Sequence, residues 1–157
     1  MDSLMPPKFL IDPVAVARVK NPLPAPTTCP RCSGTSVLVV NNSAIYGKQY
    51  GKWPFAYYCD GCGAYVGMHP GTNIPLGTLA DEETRAARRD CKTPFESVWK
   101  SGLLTRTQAY QWLADRLGIP VAECHFGWFE AETCLQAKAI CEAYLEAHRD
   151  KQNADQR

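Results

Sequence analysis

The rhythm of apolar and polar positions changes twice along the chain. Residues 1–28 follow no period and hold Pro6, Pro7, Pro13, Pro22, Pro24 and Pro26. Each proline fixes φ and removes a backbone donor, so this stretch predicts an extended arm with one short helical turn around Val14–Val19. From residue 29 to 79 short β-type runs alternate with turn residues: Ser36–Val40, Ala44–Tyr46, Phe55–Tyr58 and Ala64–Gly67. That pattern predicts a small, turn-rich β module. From residue 80 to 150 the signals are helical. Asp81–Glu83 forms an acidic first turn, Pro94 is expected to end or kink the helix, and Phe95–Ser101 resumes it before Gly102. Thr105 or Thr107 caps a second helix that runs to Leu117 and closes at Gly118 and Pro120. A third helix is expected over Glu130–His148, followed by a polar, fraying tail at 151–157. The predicted fold is α+β: the arm, a ribbon of β-hairpins, then about three helices packed on it.

The chain has 157 residues, 45% hydrophobic and 21% charged, with a formal net charge of +1. These values exclude a disordered or fibrous chain and give no global field that demands a polyanion. Charge is unevenly spread: six basic and three acidic residues over 1–79, seven and six over 80–119, and four and seven over 120–157. No apolar run approaches a membrane span. The start MDSLMPPKFLIDP has neither a basic n-region nor an apolar h-region. The expectation is a cytoplasmic protein of a bacterial or phage-infected cell, with no membrane partner.

In a reducing compartment, closely paired cysteines bind metal or do redox work. Cys29-Pro30-Arg31-Cys32 and Cys59-Asp60-Gly61-Cys62 are two C-x-x-C pairs, and tetrahedral zinc takes four ligands. Their separation of 26 residues exceeds the usual span of about 15–20 but suits a hairpin. Gly34 and Gly63, just past each pair, ease the chain round the metal. A thioredoxin-like reading needs one such pair near a βαβ pattern, which is missing. The expected cofactor is one structural Zn2+, coordinatively full and unable to activate water.

Further motifs accompany these pairs: Ile45-Tyr-Gly, Tyr58-Cys-Asp-Gly-Cys-Gly-Ala-Tyr-Val-Gly, His69-Pro-Gly-Thr, Pro75-Leu-Gly-Thr-Leu-Ala-Asp, Phe95 with Trp99, Ala109-Tyr-Gln-Trp-Leu-Ala and Cys124-His-Phe-Gly. In this order, over roughly residues 28–135, the chain resembles a zinc-finger-containing domain family found in phages and prophages. The resemblance implies zinc binding at Cys29, Cys32, Cys59 and Cys62, and brings no defined activity with it. One departure is Cys91, where the family often carries histidine.

The remaining cysteines are Cys91, Cys124, Cys134 and Cys141; the histidines are His69, His125 and His148. Cys91, His125 (or Cys124) and Cys134 could hold a second metal, but they include no tight ligand pair. Cys134 and Cys141 share a helix face with Ala137, which reads more simply as core. His69, in a Pro/Gly turn, is either a surface binding residue or a turn stabiliser.

Two features suit DNA or RNA. Arg85, Arg88, Arg89 and Lys92 fall on one helix face and could contact phosphates, against the alternative of a solvated face balanced by Asp81–Glu83. Tyr46, Lys48, Tyr50, Lys52, Trp53, Phe55, Tyr57, Tyr58 and Tyr65 interleave aromatics with lysines, as single-strand binding requires. Alternation places Phe55 and Tyr57 on one face and Tyr58 on the other, so part of this set is core. Tyr110–Pro120 resembles the start of a helix-turn-helix, but no base-reading side chain follows. No nucleophile elbow, phosphate loop, dinucleotide fingerprint or H-E-x-x-H motif appears, and catalytic residues are not assigned. The sequence therefore predicts a non-catalytic zinc-ribbon protein that binds nucleic acid or a nucleic-acid-associated machine. The alternative is a phage-encoded module that inhibits or redirects a host protein, anchored by Trp53, Trp99 or Trp128.

Overall fold

The structure is a computed structural model that describes residues 3–155, with side chains through Arg149. It combines a three-stranded antiparallel sheet with α-helices, the α+β class read from the sequence. The chain divides into two compact units, Met1–Glu82 and Glu83–Arg157.

In the first unit β1 (Val37–Asn41), β2 (Phe55–Cys59) and β3 (Tyr65–Gly67) pair in the order β1-β2-β3. The register sets Val39 opposite Tyr57 and Tyr58 opposite Tyr65. Side chains alternate across a strand, so one face of β2 carries Phe55 and Tyr57. These pack with Val39, Met68, Trp53 and Val66. A second small core holds Cys29, Cys59, Ala64 and Leu79. Tyr57, Trp53 and Thr72 of this unit have hydrogen-bond partners for their polar side-chain atoms. Tyr57 Oη donates to Asn73 O, and Trp53 Nε1 donates to Thr72 O at 2.8 Å. Thr72 is fully buried; its hydroxyl donates to His69 O at 2.8 Å and accepts from Ile74 N at 3.0 Å.

The arm carries α1 (Pro13–Arg18), N-capped by Asp12, whose carboxylate accepts from Val14 N at 2.9 Å. It is fastened to the unit. Leu4 N donates to Val39 O, Val39 N donates to Ser3 Oγ at 3.1 Å, and Asp12 N donates to Gly71 O at 2.8 Å. Gly71 has a φ of +80°, and a Cβ there would stand 3.0 Å from Ala15 Cβ, so only glycine serves.

The expected β run at Ala44–Tyr46 is instead a helical turn, α2 (Ser43–Tyr46). Asn42 causes this. Its backbone carbonyl takes the Tyr46 N–H and starts the turn, and Gly47, with φ +84°, closes it. The Asn42 side chain meanwhile donates to Tyr50 O at 2.9 Å and accepts from Tyr50 N at 3.0 Å, which pins the long β1–β2 loop.

The second unit contains α3 (Glu82–Lys100), α4 (Arg106–Leu117) and α5 (Ala131–Asp155), with 3-10 turns at Val121–Glu123 and Phe126–Trp128. Pro94 lies inside α3 and does not end it. Cys91, Phe95 and Val98, at i, i+4 and i+7, are buried on both sides of the proline, and their packing sustains the helix across the lost donor. Thr105 and Gln108 form a capping box for α4, and Gly118 closes it in the left-handed conformation. The core joins these α3 residues to Ala109, Leu113 and Ala114 of α4 and Cys134, Ala137 and Cys141 of α5, with Phe126 and Phe129 between. Helix α5 continues past His148 to Asp155; the final two residues of the expected fraying tail lie outside the described ones. Among the described residues no helix is long and apolar enough to cross a membrane.

Candidate metal centre

Cys29 and Cys32 sit on a tight knuckle before β1; Cys59 ends β2, and Cys62 lies in the turn to β3. The two knuckles repeat one hydrogen-bond pattern. Cys29 N donates to Gly34 O, and Cys59 N donates to Ala64 O, both at 2.8 Å. Ser33 N donates to Cys29 O, and Gly63 N donates to Cys59 O, also at 2.8 Å. Ser33 and Gly63 both hold positive φ, 63° and 83°. The glycine expected to make the first turn, Gly34, is therefore one residue too late, and Ser33 takes the left-handed position. Gly34 instead makes room for a ligand, since a Cβ there would stand 3.1 Å from Cys32 Sγ.

This packing brings all four sulfurs within 4.8 Å of one another. Cys29 Sγ lies 3.6 Å from Cys62 Sγ, and Cys32 Sγ lies 3.5 Å from Cys59 Sγ. Four sulfurs bound to a tetrahedral ion at about 2.3 Å stand about 3.8 Å apart, so the set fits zinc with little movement. Backbone donors surround the sulfurs as well. Arg31 N donates to Cys29 Sγ and Gly34 N to Cys32 Sγ, each at 3.4 Å. The N–H groups of Cys62 and Gly61 serve Cys59, and that of Ala64 serves Cys62. Such donors stabilise negative sulfur.

Cys59 and Cys62 shift in opposite directions. Burial pushes Cys59 up, but the Cys62 and Gly61 N–H groups and the Cys32 and Cys29 side chains bring it down to about 7. The Ala64 N–H pulls Cys62 down, yet burial and its three sulfur neighbours push it up to about 12. One proton leaves readily and another is held tightly, because thiolates crowded together repel. A divalent cation removes that repulsion, and its binding releases the protons. Cys29, Cys32, Cys59 and Cys62 are the residues that would hold Zn2+, and all four positions are protein sulfurs.

The other candidate residues are placed differently. Among the described residues Cys91, His125 and Cys134 do not gather as a metal-binding group. Cys91 Sγ donates to Arg88 O at 3.4 Å, while His125 stacks on Trp128 with ring centres 4.3 Å apart. Burial of Cys91 and Cys134 in the helical core explains their spacing without a metal. His69 shapes its turn: its N–H donates to Ile74 O, and its carbonyl accepts from Thr72. On α3, Arg88 Nε donates to Phe129 O at 2.9 Å, and Arg85 and Arg89 also have partners. Lys92 is exposed. Lys48 and Lys52 are exposed on the β1–β2 loop, but Trp53 is half-buried and tied to Thr72. Trp99 and Trp128 are half-buried too. After Leu117 two 3-10 turns, Val121–Glu123 and Phe126–Trp128, stand where a recognition helix would follow. Asn42 escaped the sequence reading, although an asparagine two residues before a small-residue run is a turn signal.

No curated protein and no solved structure matches the chain. A zinc-finger-containing domain family matches residues 25–144, a span that includes all four sulfur ligands and most of each structural unit. The chain belongs to that zinc-finger-containing domain family.

Proposed function

We propose that this zinc-binding protein uses its ribbon to bind single-stranded nucleic acid. The reading is carried by the β1–β2 loop. Tyr46 and Tyr50 are half exposed, 50% and 51%, and meet edge to face with centres 5.4 Å apart. Lys48 Nζ lies 5.0 Å from the centre of the Tyr50 ring, and Lys52 is exposed nearby in sequence. Exposed rings offer stacking surfaces for unpaired bases while ammonium groups neutralise phosphates. The metal holds the strands that carry the loop, and its full sulfur shell leaves it a structural role.

Anisotropy titrations of labelled single-stranded DNA and RNA at several salt concentrations test this. Affinity should fall with salt, with a logarithmic slope near −0.7 per phosphate neutralised. Tyr46→Ala and Tyr50→Ala should each weaken binding by about 5- to 150-fold, since stacking is worth about 1–3 kcal/mol per base. No binding to either nucleic acid at low salt would sink the reading.

A second reading rests on the arm, where Phe9 is 85% exposed beside Leu10 and Val14. Such a row suits a protein partner, as in a phage-encoded module that redirects a host protein. Loss of partner capture from bacterial lysate in Phe9→Ser, with nucleic-acid binding absent, would favour it.

A further inference from the structure

The loop that presents Tyr46 and Tyr50 also holds one side-chain amide in a fixed orientation. The Ser43 backbone N–H donates to Asn41 Oδ1 at 2.9 Å. A backbone N–H can only donate, so this bond settles which end of the Asn41 amide is oxygen. Asn41 Nδ2 then donates to Gln49 Oε1 at 3.1 Å. The Gln49 amide is set in turn: its oxygen is directed to Asn41, and its Nε2 group has no partner among the described residues. Gln49 is exposed and lies between Lys48 and Tyr50 in sequence. The backbone beside it is held as well, since the Asn42 side chain bonds both the N–H and the carbonyl of Tyr50. We propose that Gln49 is a specificity-determining residue of the ribbon, selecting single strands whose bases carry a carbonyl oxygen over strands of adenine, which has none.

The inference rests on the single-strand reading of the same loop and adds to it a choice among bases. Rings and ammonium groups tolerate any base, because every base has a π-face and every nucleotide a phosphate. An oriented amino group does not. It only donates, so a carbonyl oxygen of thymine, uracil, guanine or cytosine satisfies it, while the N6 amino group of adenine meets it donor against donor. An unrestrained glutamine reads adenine well, its oxygen accepting from N6 and its nitrogen donating to N7. The Asn41 bond removes that mode by directing the Gln49 oxygen into the protein. Asn41 is therefore a positioning residue, acting on the base through Gln49. Its own orientation comes from the Ser43 N–H at the start of α2, so the helical turn that replaces the expected strand is what aims the amide.

The test uses the full zinc-loaded protein and labelled oligothymidylate and oligoadenylate of equal length, titrated by anisotropy at one low salt concentration. The quantity read is the ratio of the two affinities. Comparing variants with the wild type cancels the self-stacking of oligoadenylate and any general loss of affinity. Gln49→Glu keeps an oxygen for Asn41 and replaces the free N–H groups with an acceptor. It should lower the thymine-to-adenine ratio by about 2- to 12-fold, the worth of one hydrogen bond. Asn41→Asp should lower it too, although Gln49 is untouched. One aspartate oxygen still accepts from Ser43 N, the other takes the Gln49 N–H, and the Gln49 oxygen turns outward. Circular dichroism and zinc content show that each variant is folded. A ratio unchanged in either folded variant, with binding retained, would overturn the assignment. Failure of the wild type to bind either strand would overturn the single-strand reading itself, and the base preference with it.

Discussion

At the scale of single residues, Ser33 is the clearest point of strain. It holds φ at +63°, where an L side chain costs roughly 1–2 kcal/mol, while its counterpart in the second knuckle is glycine. Ser33→Gly should therefore stabilise the zinc-loaded ribbon by about 0.5–1 kcal/mol, after allowing for the greater freedom of glycine in the unfolded chain. Chemical denaturation of both proteins at saturating zinc would measure it; an unchanged or lower midpoint would refute it. The sequence made the four ligands legible because C-x-x-C spacing encodes the knuckle directly. It misplaced the turn in the first knuckle, because a serine in the left-handed region leaves no sign in residue type. The crowding of Gly34 against Cys32 Sγ likewise depends on the folded path alone.

At the scale of elements, agreement followed the strength of the local signal. The runs at 36–40, 55–58 and 64–67 coincide with β1–β3 to within a residue or two, since each is bounded by turn chemistry. Thr105 and Gly118 marked both ends of α4, because capping residues act locally. Two elements depended on distant packing and were misread. Proline suggested a break in α3 that the buried Cys91–Phe95–Val98 stripe overrides. Apolar residues suggested a strand at 44–46 that Asn42 and Gly47 turn into α2. The basic face of α3 also changes meaning. Arg88 spends its Nε proton on Phe129 O, so it is a structural residue. Arg88→Ala should lower the stability of the helical unit by about 1.5–3 kcal/mol, the usual worth of a hydrogen bond to a charged group. A melting temperature equal to the wild type would show that the bond contributes nothing.

At the scale of the whole molecule, the charge balance follows the structural division. Met1–Glu82 carries six basic and five acidic residues, and Glu83–Arg157 carries eleven of each. The asymmetry of the sequence segments thus nearly disappears, and nucleic-acid binding would rest on the local Tyr46–Lys52 cluster. All four sulfur ligands belong to Met1–Glu82, whereas the helical unit has its own apolar core. Removing the metal should melt the ribbon and leave most of the helix. Zinc sites in isolated fingers contribute roughly 10–16 kcal/mol of apparent binding energy, more than so small a sheet replaces. A chelator, Cys59→Ser, or acid that reprotonates the thiols should each erase the sheet resonances, while far-ultraviolet circular dichroism keeps its helical minima. Acid acts in this direction because the bound ion displaces protons, so affinity falls as pH falls. Loss of the helical signal together with the sheet would count against two separate cores. The distance along the chain between the two knuckles also matters during translation. Cys29 and Cys32 emerge from the ribosome before Cys59 and Cys62 do. The nascent chain therefore exposes half a coordination shell, open to any soft cation that arrives first, until the other two sulfurs emerge.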